Sequence, residues 1–150
     1  WGRRMLVMAK EELMHVNPFI TWFFNHVGVF GVERGKGDTA TIDGVIQKVR
    51  EGQGLLIFPE GTRSKTGEPG RLKSGAFVVA SAAGADMVPC RIIYSRGQMK
   101  LFSRVRVCFG KPIPAGELDL GEVRSAAKLR QNKQLLLDAW EQLYQENKFQ

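Results

Sequence analysis

The chain has 150 residues, 43% of them hydrophobic, and carries 22 lysines and arginines against 15 aspartates and glutamates. This length suits a single domain over 1–150 with a sizeable core, and the composition excludes a disordered or low-complexity protein. The formal charge of +7 favours anionic partners such as phosphate head groups, acidic membranes or nucleic acid, although a basic surface can equally serve solubility alone.

The first half of the chain predicts an alternation of strands and helix. Apolar runs at 5–8 and 29–32 are typical of short strands. Between 39 and 50 the apolar residues recur at helical spacing, with Asp38 as the cap. The apolar run 54–58 is typical of a strand buried on both faces. This succession predicts an α/β fold with a mostly parallel or mixed central sheet flanked by helices.

A polar, basic turn follows the third strand. Pro59 has no amide hydrogen to give to a neighbouring strand, and Gly61 lets the backbone turn sharply. An arginine at such a strand end offers a planar fork of donors that suits phosphate, and hydroxyl groups add neutral donors. The side chains that we expect near this carboxyl edge of the sheet are those of Glu60, Thr62, Arg63 and Ser64.

A second arginine stands at a comparable position. Arg34 follows the strand at 29–32, and the strands on either side of a crossover end at the same edge of a parallel sheet. We therefore expect Arg34 and Arg63 to converge on one anion.

The second half begins with a glycine-containing loop that ends at Lys73. Ser74 is the expected cap of a buried helix over 76–83, which Gly84 ends. The amino end of that helix, beside Lys73, would add partial positive charge to a phosphate site.

Two strands and a long helix complete the chain. We expect the strands at 87–93, where Pro89 marks a bulge or a strand start, and at 104–109, whose two arginines face solvent or a membrane. The amphipathic helix at 122–147 is expected to pack on the domain rather than lie in a membrane.

Cysteine usage and ligand spacing argue against disulfides and metals. Cys90 and Cys108 stand in apolar, strand-like runs, so we expect reduced, buried thiols in a cytosolic protein. The sequence shows no histidine, cysteine or aspartate cluster at metal-ligand spacing, and we expect no metal site.

Three motifs in order resemble the lysophosphatidic acid acyltransferases, which esterify 1-acylglycerol-3-phosphate. The segment 58–64 (Phe-Pro-Glu-Gly-Thr-Arg-Ser), followed by 70–75 (Gly-Arg-Leu-Lys-Ser-Gly), resembles the third signature block of that family. The segments 31–35 (Gly-Val-Glu-Arg-Gly) and 87–90 (Met-Val-Pro-Cys) resemble the second and fourth blocks. Motif sets of this kind are more specific than a single motif.

The resemblance implies a layered glycerolipid acyltransferase-like fold and a role in phospholipid synthesis. A fatty acyl group would pass from acyl-CoA or acyl carrier protein to the hydroxyl of lysophosphatidate, without a cofactor. The implied phosphate-binding residues are Arg34, Glu60, Gly61, Thr62, Arg63 and Lys73. The implied supporting residues are Pro59, Ser64 and Pro89.

The family's first block, an Asn-His pair followed by four residues and an aspartate, has no match in the sequence. Asn25-His26 is a poor candidate because Gly31 stands at the aspartate position. We expect the catalytic block upstream of Trp1, which makes this an N-terminally truncated acyltransferase domain that is inactive in isolation. The expected location is the cytoplasmic face of a membrane, either peripheral or anchored by upstream sequence, and the expected partners include an anionic membrane surface but not nucleic acid.

Two other functions remain open from the sequence. A non-catalytic module that binds lipid phosphate or a membrane surface would also lack the first block. The segment 35–40 (Gly-Lys-Gly-Asp-Thr-Ala) matches the dinucleotide pattern Gly-x-Gly-x-x-Ala between a strand and a helix. A lone fingerprint of this kind is weak.

Overall fold

The computed structural model describes residues 5–10, 29–32, 39–62, 64, 66–97 and 100–149. The chain divides into two units, Trp1–Phe58 and Pro59–Gln150. Each unit combines strands with helices, so the predicted α/β class is confirmed. The elements of the first unit are β1 (Met5–Lys10), β2 (Val29–Val32), α1 (Thr39–Arg50) and β3 (Gly54–Leu56). Those of the second are α2 (Gly75–Ala83), β4 (Cys90–Tyr94), β5 (Val105–Phe109), α3 (Ala115–Leu118) and α4 (Ala126–Asn147).

The first unit contains a parallel sheet with the strand order β2-β1-β3. Val7 pairs with Val29 on one side of β1, and Leu6 pairs with Leu55 on the other. The parallel pairing follows from the strand-helix-strand succession, as the sequence predicted. Leu6, on the central strand, is buried.

Helix α1 follows the predicted apolar spacing. Val45 and Ile46 are buried, and the half-buried Ile42 and Val49 lie one turn before and after them on the same face of the helix. The chain leaves the helix at Gly52, whose amide donates to the Val49 carbonyl oxygen at 3.0 Å. Gly52 has φ +88°, which favours glycine because it has no Cβ.

Strand β3 is shorter and more exposed than predicted. It ends at Leu56 instead of Phe58, and Phe58 is 57% exposed. Within the described sheet, β3 stands at an edge and pairs only with β1. The prediction of a strand buried on both faces is therefore wrong, because an apolar run does not tell a central strand from an edge strand.

The second unit is built on the antiparallel hairpin of β4 and β5. Ile92 lies opposite Val107, and Ile93 lies opposite Arg106. Side chains alternate between the two faces of a hairpin, and α4 packs against the face that buries Ile93. The core is completed by apolar residues of α2, α3 and α4, which are Phe77, Val79, Leu118, Leu136, Trp140 and Leu143.

The two long helices of this unit differ at their starts. Ser74 stands at the cap position of α2, as predicted, but its backbone is helical and its side chain makes no cap hydrogen bond. Its carbonyl oxygen instead accepts from the Val78 amide at 3.0 Å. Helix α4 begins at Ala126, four residues after the predicted Glu122, because the Oγ of Ser125 accepts from the Lys128 amide and caps the helix there.

Both cysteines are free thiols, and each is half-buried rather than fully buried as predicted. Desolvation by burial, with a contribution from Cys108, raises the pKa of the Cys90 thiol, so Cys90 is protonated and weakly nucleophilic near neutral pH. A search of the described helices finds none with the length and apolar character to cross a bilayer.

A buried amide in α4 provides a test of this core. Asn132 is 1% exposed, and its Nδ2 donates to the Leu118 carbonyl oxygen at 2.9 Å. We predict that Asn132→Ala lowers the free energy of unfolding by about 1–3 kcal/mol, because the buried carbonyl loses its partner. Urea unfolding measures the change. Gln131→Ala, an exposed neighbour on the same helix, should change it by less than about 0.5 kcal/mol, and equal losses for both variants would contradict the packing.

Candidate functional site

The predicted phosphate motif forms a closed loop in the second unit. We call residues 59–73 the motif loop. The amide of Lys73 donates to the carbonyl oxygen of Pro59 at 2.8 Å, which brings the two ends of the loop together. Pro59 therefore supports the loop through its carbonyl oxygen as well as through its lack of an amide hydrogen.

A second hydrogen bond crosses the motif loop. The Oε2 atom of Glu60 accepts from the Gly70 amide at 2.6 Å. A Cβ at Gly70 would lie 3.1 Å from the same oxygen, so glycine allows the close approach. Glu60 thus has a role within the loop that the sequence did not reveal. Its implied place in the phosphate site stays a prediction, because Arg34 and Arg63 lie outside the described residues.

Gly61 and Lys73 are brought together by this closure. Gly61 has φ +66°, and a Cβ on it would lie 2.9 Å from the Nζ of Lys73. The Lys73 ammonium group therefore lies against the backbone of the turn, where glycine leaves room for it. Thr62, the next predicted residue, is exposed. Three of the predicted phosphate-binding residues, Gly61, Thr62 and Lys73, thus occupy one part of the motif loop.

Ser64 organises the following turn. Its Oγ accepts from the Gly67 amide at 2.9 Å and from the Thr66 amide at 3.3 Å, and it donates to the Glu68 carbonyl oxygen at 2.7 Å. A serine hydroxyl that bonds several nearby backbone groups fixes a turn. Its position is consistent with the supporting role that the resemblance implies.

Gly67 connects the motif loop to the hairpin. It has φ +85°, and a Cβ at this position would overlap the Gly97 carbonyl group. Gly97 belongs to the turn region that follows β4, so the two backbones touch where only glycine fits. Gly67 was not among the predicted site residues, because one glycine in a loop carries no sequence signal of its contact.

Pro89, the third predicted supporting residue, lies away from the motif loop's hydrogen bonds. It is fully buried, and its carbonyl oxygen accepts from the Gly110 amide at 2.8 Å. It stands directly before β4, which agrees with the predicted strand start. Its contribution is to the start of the hairpin.

Arg91 is the buried cation that the sequence analysis missed. It is 6% exposed, and its Nη1 donates to the Trp140 carbonyl oxygen at 2.9 Å. The guanidinium carbon lies 4.5 Å from the centre of the Tyr144 ring. The Oε2 atom of Glu141 lies 3.6 Å from the Nη1 atom of Arg91, and the Oε2 atom of Glu68 lies 4.0 Å from its Nη2 atom. The sequence signal that could have revealed this burial is an arginine between apolar residues of a predicted strand.

The position of Arg91 ties three parts of the unit together. Glu68 belongs to the motif loop, Arg91 to β4, and Trp140, Glu141 and Tyr144 to α4. The two carboxylates offset part of the buried charge, and among the described residues the buried Nη2 atom of Arg91 has no hydrogen-bond partner. A small cleft is lined by Thr66, Gly67, Glu68, Arg91 and Tyr144 among others.

Several sequence predictions fall outside the described residues. These are the Arg34–Arg63 convergence, the Asn25-His26 pair, the Asp38 cap and most of the dinucleotide-like segment 35–40. In the described part of the chain, no group of three or more histidine, cysteine, aspartate or glutamate side chains is arranged to hold a metal ion. Of the three predicted phosphate-binding cations, Lys73 lies within the described residues, whereas Arg34 and Arg63 do not.

Comparison with known proteins gives a consistent result. The family model described as Acyltransferase matches residues 1–93. The chloroplastic 1-acyl-sn-glycerol-3-phosphate acyltransferase BAT2 of Brassica napus is 32% identical over 128 residues, covering 79% of this chain and 37% of the relative. The 1-acyl-sn-glycerol-3-phosphate acyltransferase of Bacillus subtilis is 33% identical over 102 residues, covering 63% and 50%. The chain thus spans half or less of the length of these relatives.

A solved structure supports the fold. The 1-acyl-sn-glycerophosphate acyltransferase PlsC from Thermotoga maritima aligns with a TM-score of 0.68 at 20% identity. The alignment covers 98% of this chain and 59% of that one. The family match over 1–93 contains all three motifs that carried the resemblance, and the resemblance is confirmed. This chain belongs to the Acyltransferase family, and within it resembles the 1-acyl-sn-glycerol-3-phosphate acyltransferases.

Proposed function

We propose that the protein that carries this chain transfers a fatty acyl group from an acyl thioester to the free hydroxyl of lysophosphatidate, producing phosphatidate. The donor would be acyl-CoA or acyl carrier protein. The observation that carries the proposal is the closed motif loop, which holds the Lys73 ammonium group against Gly61 beside the exposed Thr62. The names of the relatives support the same reaction.

The motif loop has the chemistry that a phosphate monoester requires. The Lys73 ammonium is a compact positive charge with three donors, and the Thr62 hydroxyl is a neutral donor. Arg63, which follows directly, and Arg34 would add bidentate forks. A carboxylate near such a site would repel the phosphate, but Glu60 is engaged with the Gly70 amide. We therefore assign Glu60 to the frame of the loop and the cations to the ligand.

Phosphate binding would serve the transfer by positioning. When the phosphate is fixed, the acceptor hydroxyl is held near the thioester carbonyl, and the reaction gains from proximity. The hydroxyl oxygen forms a bond to the acyl carbon, the carbon–sulfur bond breaks, and the hydroxyl proton passes through a base to the departing thiolate. The resemblance implies that the histidine of the Asn-His-x4-Asp block is this base. The 150 residues contain no such block, so the residues of this chain bind and orient.

The substrates place the proposed reaction at a lipid bilayer. Lysophosphatidate and phosphatidate are membrane lipids, and the formal charge of +7 favours an anionic surface. We propose a location at the cytoplasmic face of a membrane, where acyl thioesters are available. A module that binds lipid phosphate without catalysis is the alternative, and it would give binding without turnover.

The first prediction concerns the cations of the motif loop. In the full protein, Lys73→Ala and Arg63→Ala should each raise the KM for lysophosphatidate about 10- to 100-fold, because a charged hydrogen bond contributes about 1.5–3 kcal/mol. Steady-state kinetics measures the change. The matched control is Arg130→Ala, which removes an exposed cation from α4 and should leave the KM within about twofold. An unchanged KM in both loop variants would refute the phosphate role.

The second prediction separates the frame of the loop from its charge. Glu60→Ala removes the acceptor of the Gly70 amide, so that amide should exchange with solvent at least about 10-fold faster, as expected for the loss of about 1.4 kcal/mol. Glu60→Gln keeps an acceptor oxygen in place and should restore most of the protection. Hydrogen exchange followed by NMR reads the Gly70 amide directly. Equal exchange in the wild type and Glu60→Ala would show that the hydrogen bond does not hold the loop.

A further inference from the structure

The hairpin of β4 and β5 ends in a turn that exposes two large apolar side chains. Leu101 is 79% exposed and Phe102 is 89% exposed. They are adjacent in sequence, and they lie beyond the last strand pair, Tyr94 with Val105. We call residues 100–103 the hairpin tip. Exposed apolar residues that adjoin each other at a protruding turn call for an explanation, whereas single ones do not.

The hairpin tip is a closed turn and not a loose end. The Ser103 amide donates to the Lys100 carbonyl oxygen at 3.0 Å, which makes Leu101 and Phe102 the two central residues of a β-turn. The Ser95 amide donates to the Arg104 carbonyl oxygen at 2.9 Å and closes the hairpin behind the turn. The backbone itself therefore presents both side chains outward.

Phe102 adopts a backbone conformation that usually belongs to glycine. Its φ is +63°, and no other non-glycine residue in the described part of the chain has a positive φ. This position of a turn favours glycine or asparagine because a side chain is strained there. A bulky aromatic residue that is both strained and exposed gains nothing from packing within the unit. The strain is consistent with a role for the side chain outside it.

The charge around the hairpin tip has one sign. From 87 to 116 the sequence contains no aspartate or glutamate. Arg96, Lys100 and Arg104 flank the tip in sequence, and all three are exposed. The guanidinium of Arg104 lies 5.3 Å from the centre of the Phe149 ring, which leaves the cation at the surface. A pair of apolar side chains flanked by cations matches the arrangement of an anionic bilayer, with hydrocarbon beneath phosphate.

We infer that the hairpin tip is a membrane-docking element. Leu101 and Phe102 enter the interfacial region of an anionic bilayer, and Arg96 and Lys100 contact lipid phosphates. Val105, Val107 and Phe109 of β5 are exposed as well and extend the apolar surface. The cations beside the tip favour an anionic bilayer over a protein as its occupant, because lipid phosphates complement them. Lipid needs no complementary shape. A protein partner becomes an outcome of the test.

This docking role rests on the proposed function, in which the substrate lysophosphatidate is a lipid of the membrane. The hairpin tip and the motif loop are separate segments. They are linked by a backbone contact, because Gly67 of the loop lies against the Gly97 carbonyl group of the hairpin. Docking of the tip would therefore fix the orientation of the motif loop toward the bilayer from which lysophosphatidate comes.

A depth probe tests the inference without substrate. In the full protein, with every cysteine replaced by serine, Cys90 and Cys108 among them, Phe102→Cys is labelled with the environment-sensitive fluorophore NBD. Vesicles of phosphatidylcholine with about one third phosphatidylglycerol should shift the emission to the blue, and doxyl-labelled lipids should quench it. Vesicles of phosphatidylcholine alone should produce a weaker response, because the cations lose their partners. The matched control is Val123→Cys, at an apolar residue that is 88% exposed but has Glu122 beside it.

The outcomes are decisive in either direction. Emission from position 102 that stays unshifted with vesicles would overturn the inference, including the case in which the tip binds a protein. If the cysteine-free background does not fold, sedimentation with the same vesicles decides, since Leu101→Ser with Phe102→Ser should weaken binding about 10-fold or more and Val123→Ser should not. Because no acyl transfer is measured, a failed tip and a failed phosphate site are distinguishable.

Discussion

A short hydrogen bond between a carboxylate and a backbone amide sets the geometry on which the rest of this site depends. Glu60 bonds to the Gly70 amide, and the Pro59 carbonyl bonds to the Lys73 amide, so one loop is closed at two levels. Closure costs conformational entropy that grows slowly with loop length, and two hydrogen bonds offset part of it. The result is that Lys73, twelve residues after Gly61 in sequence, lies against it in space.

The closed loop is in turn attached to the core of its unit. Arg91 is a buried cation that the Trp140 carbonyl, two carboxylates and the Tyr144 ring surround. Burying a charge is costly unless it is paired, and removing one partner of such a group costs more than the group contributes. The Glu68 carboxylate belongs to the motif loop, so the arrangement of helix α4 and the position of the loop are coupled through one side chain.

Local patterns predicted what depends on local structure. The helical spacing of the apolar residues between 39 and 50 predicted helix α1, which buries Val45 and Ile46, and the left-handed Gly84 stands where helix α2 was predicted to end. What failed depends on surroundings that a pattern does not contain. Leu56 is exposed because its strand is at the edge of the described sheet, and the Ser74 side chain makes no cap hydrogen bond because its own backbone is helical. A run of apolar residues occurs in both central and edge strands, and a serine before a helix occurs with and without a cap hydrogen bond.

In the candidate site, the sequence predicted the contacts of neighbouring residues but not those of distant ones. The motif at 58–64 predicted which residues gather at the turn, since they are adjacent in sequence. The Glu60–Gly70 bond, the contact of Gly67 with Gly97 and the burial of Arg91 join distant positions, and no sequence signal specified them. The convergence of Arg34 with Arg63 remains the prediction that geometry has yet to test.

The proposed function depends on binding of the acceptor's phosphate by the motif loop. The most direct measurement is an NMR titration of the full protein with a short-chain lysophosphatidate, compared with the monoacylglycerol that lacks the phosphate. We expect the amide signals of Gly61, Thr62 and Lys73 to shift with the phosphorylated ligand and not with the neutral one. Shifts of equal size with both ligands, or shifts confined to residues outside 59–73, would contradict phosphate binding by the motif loop.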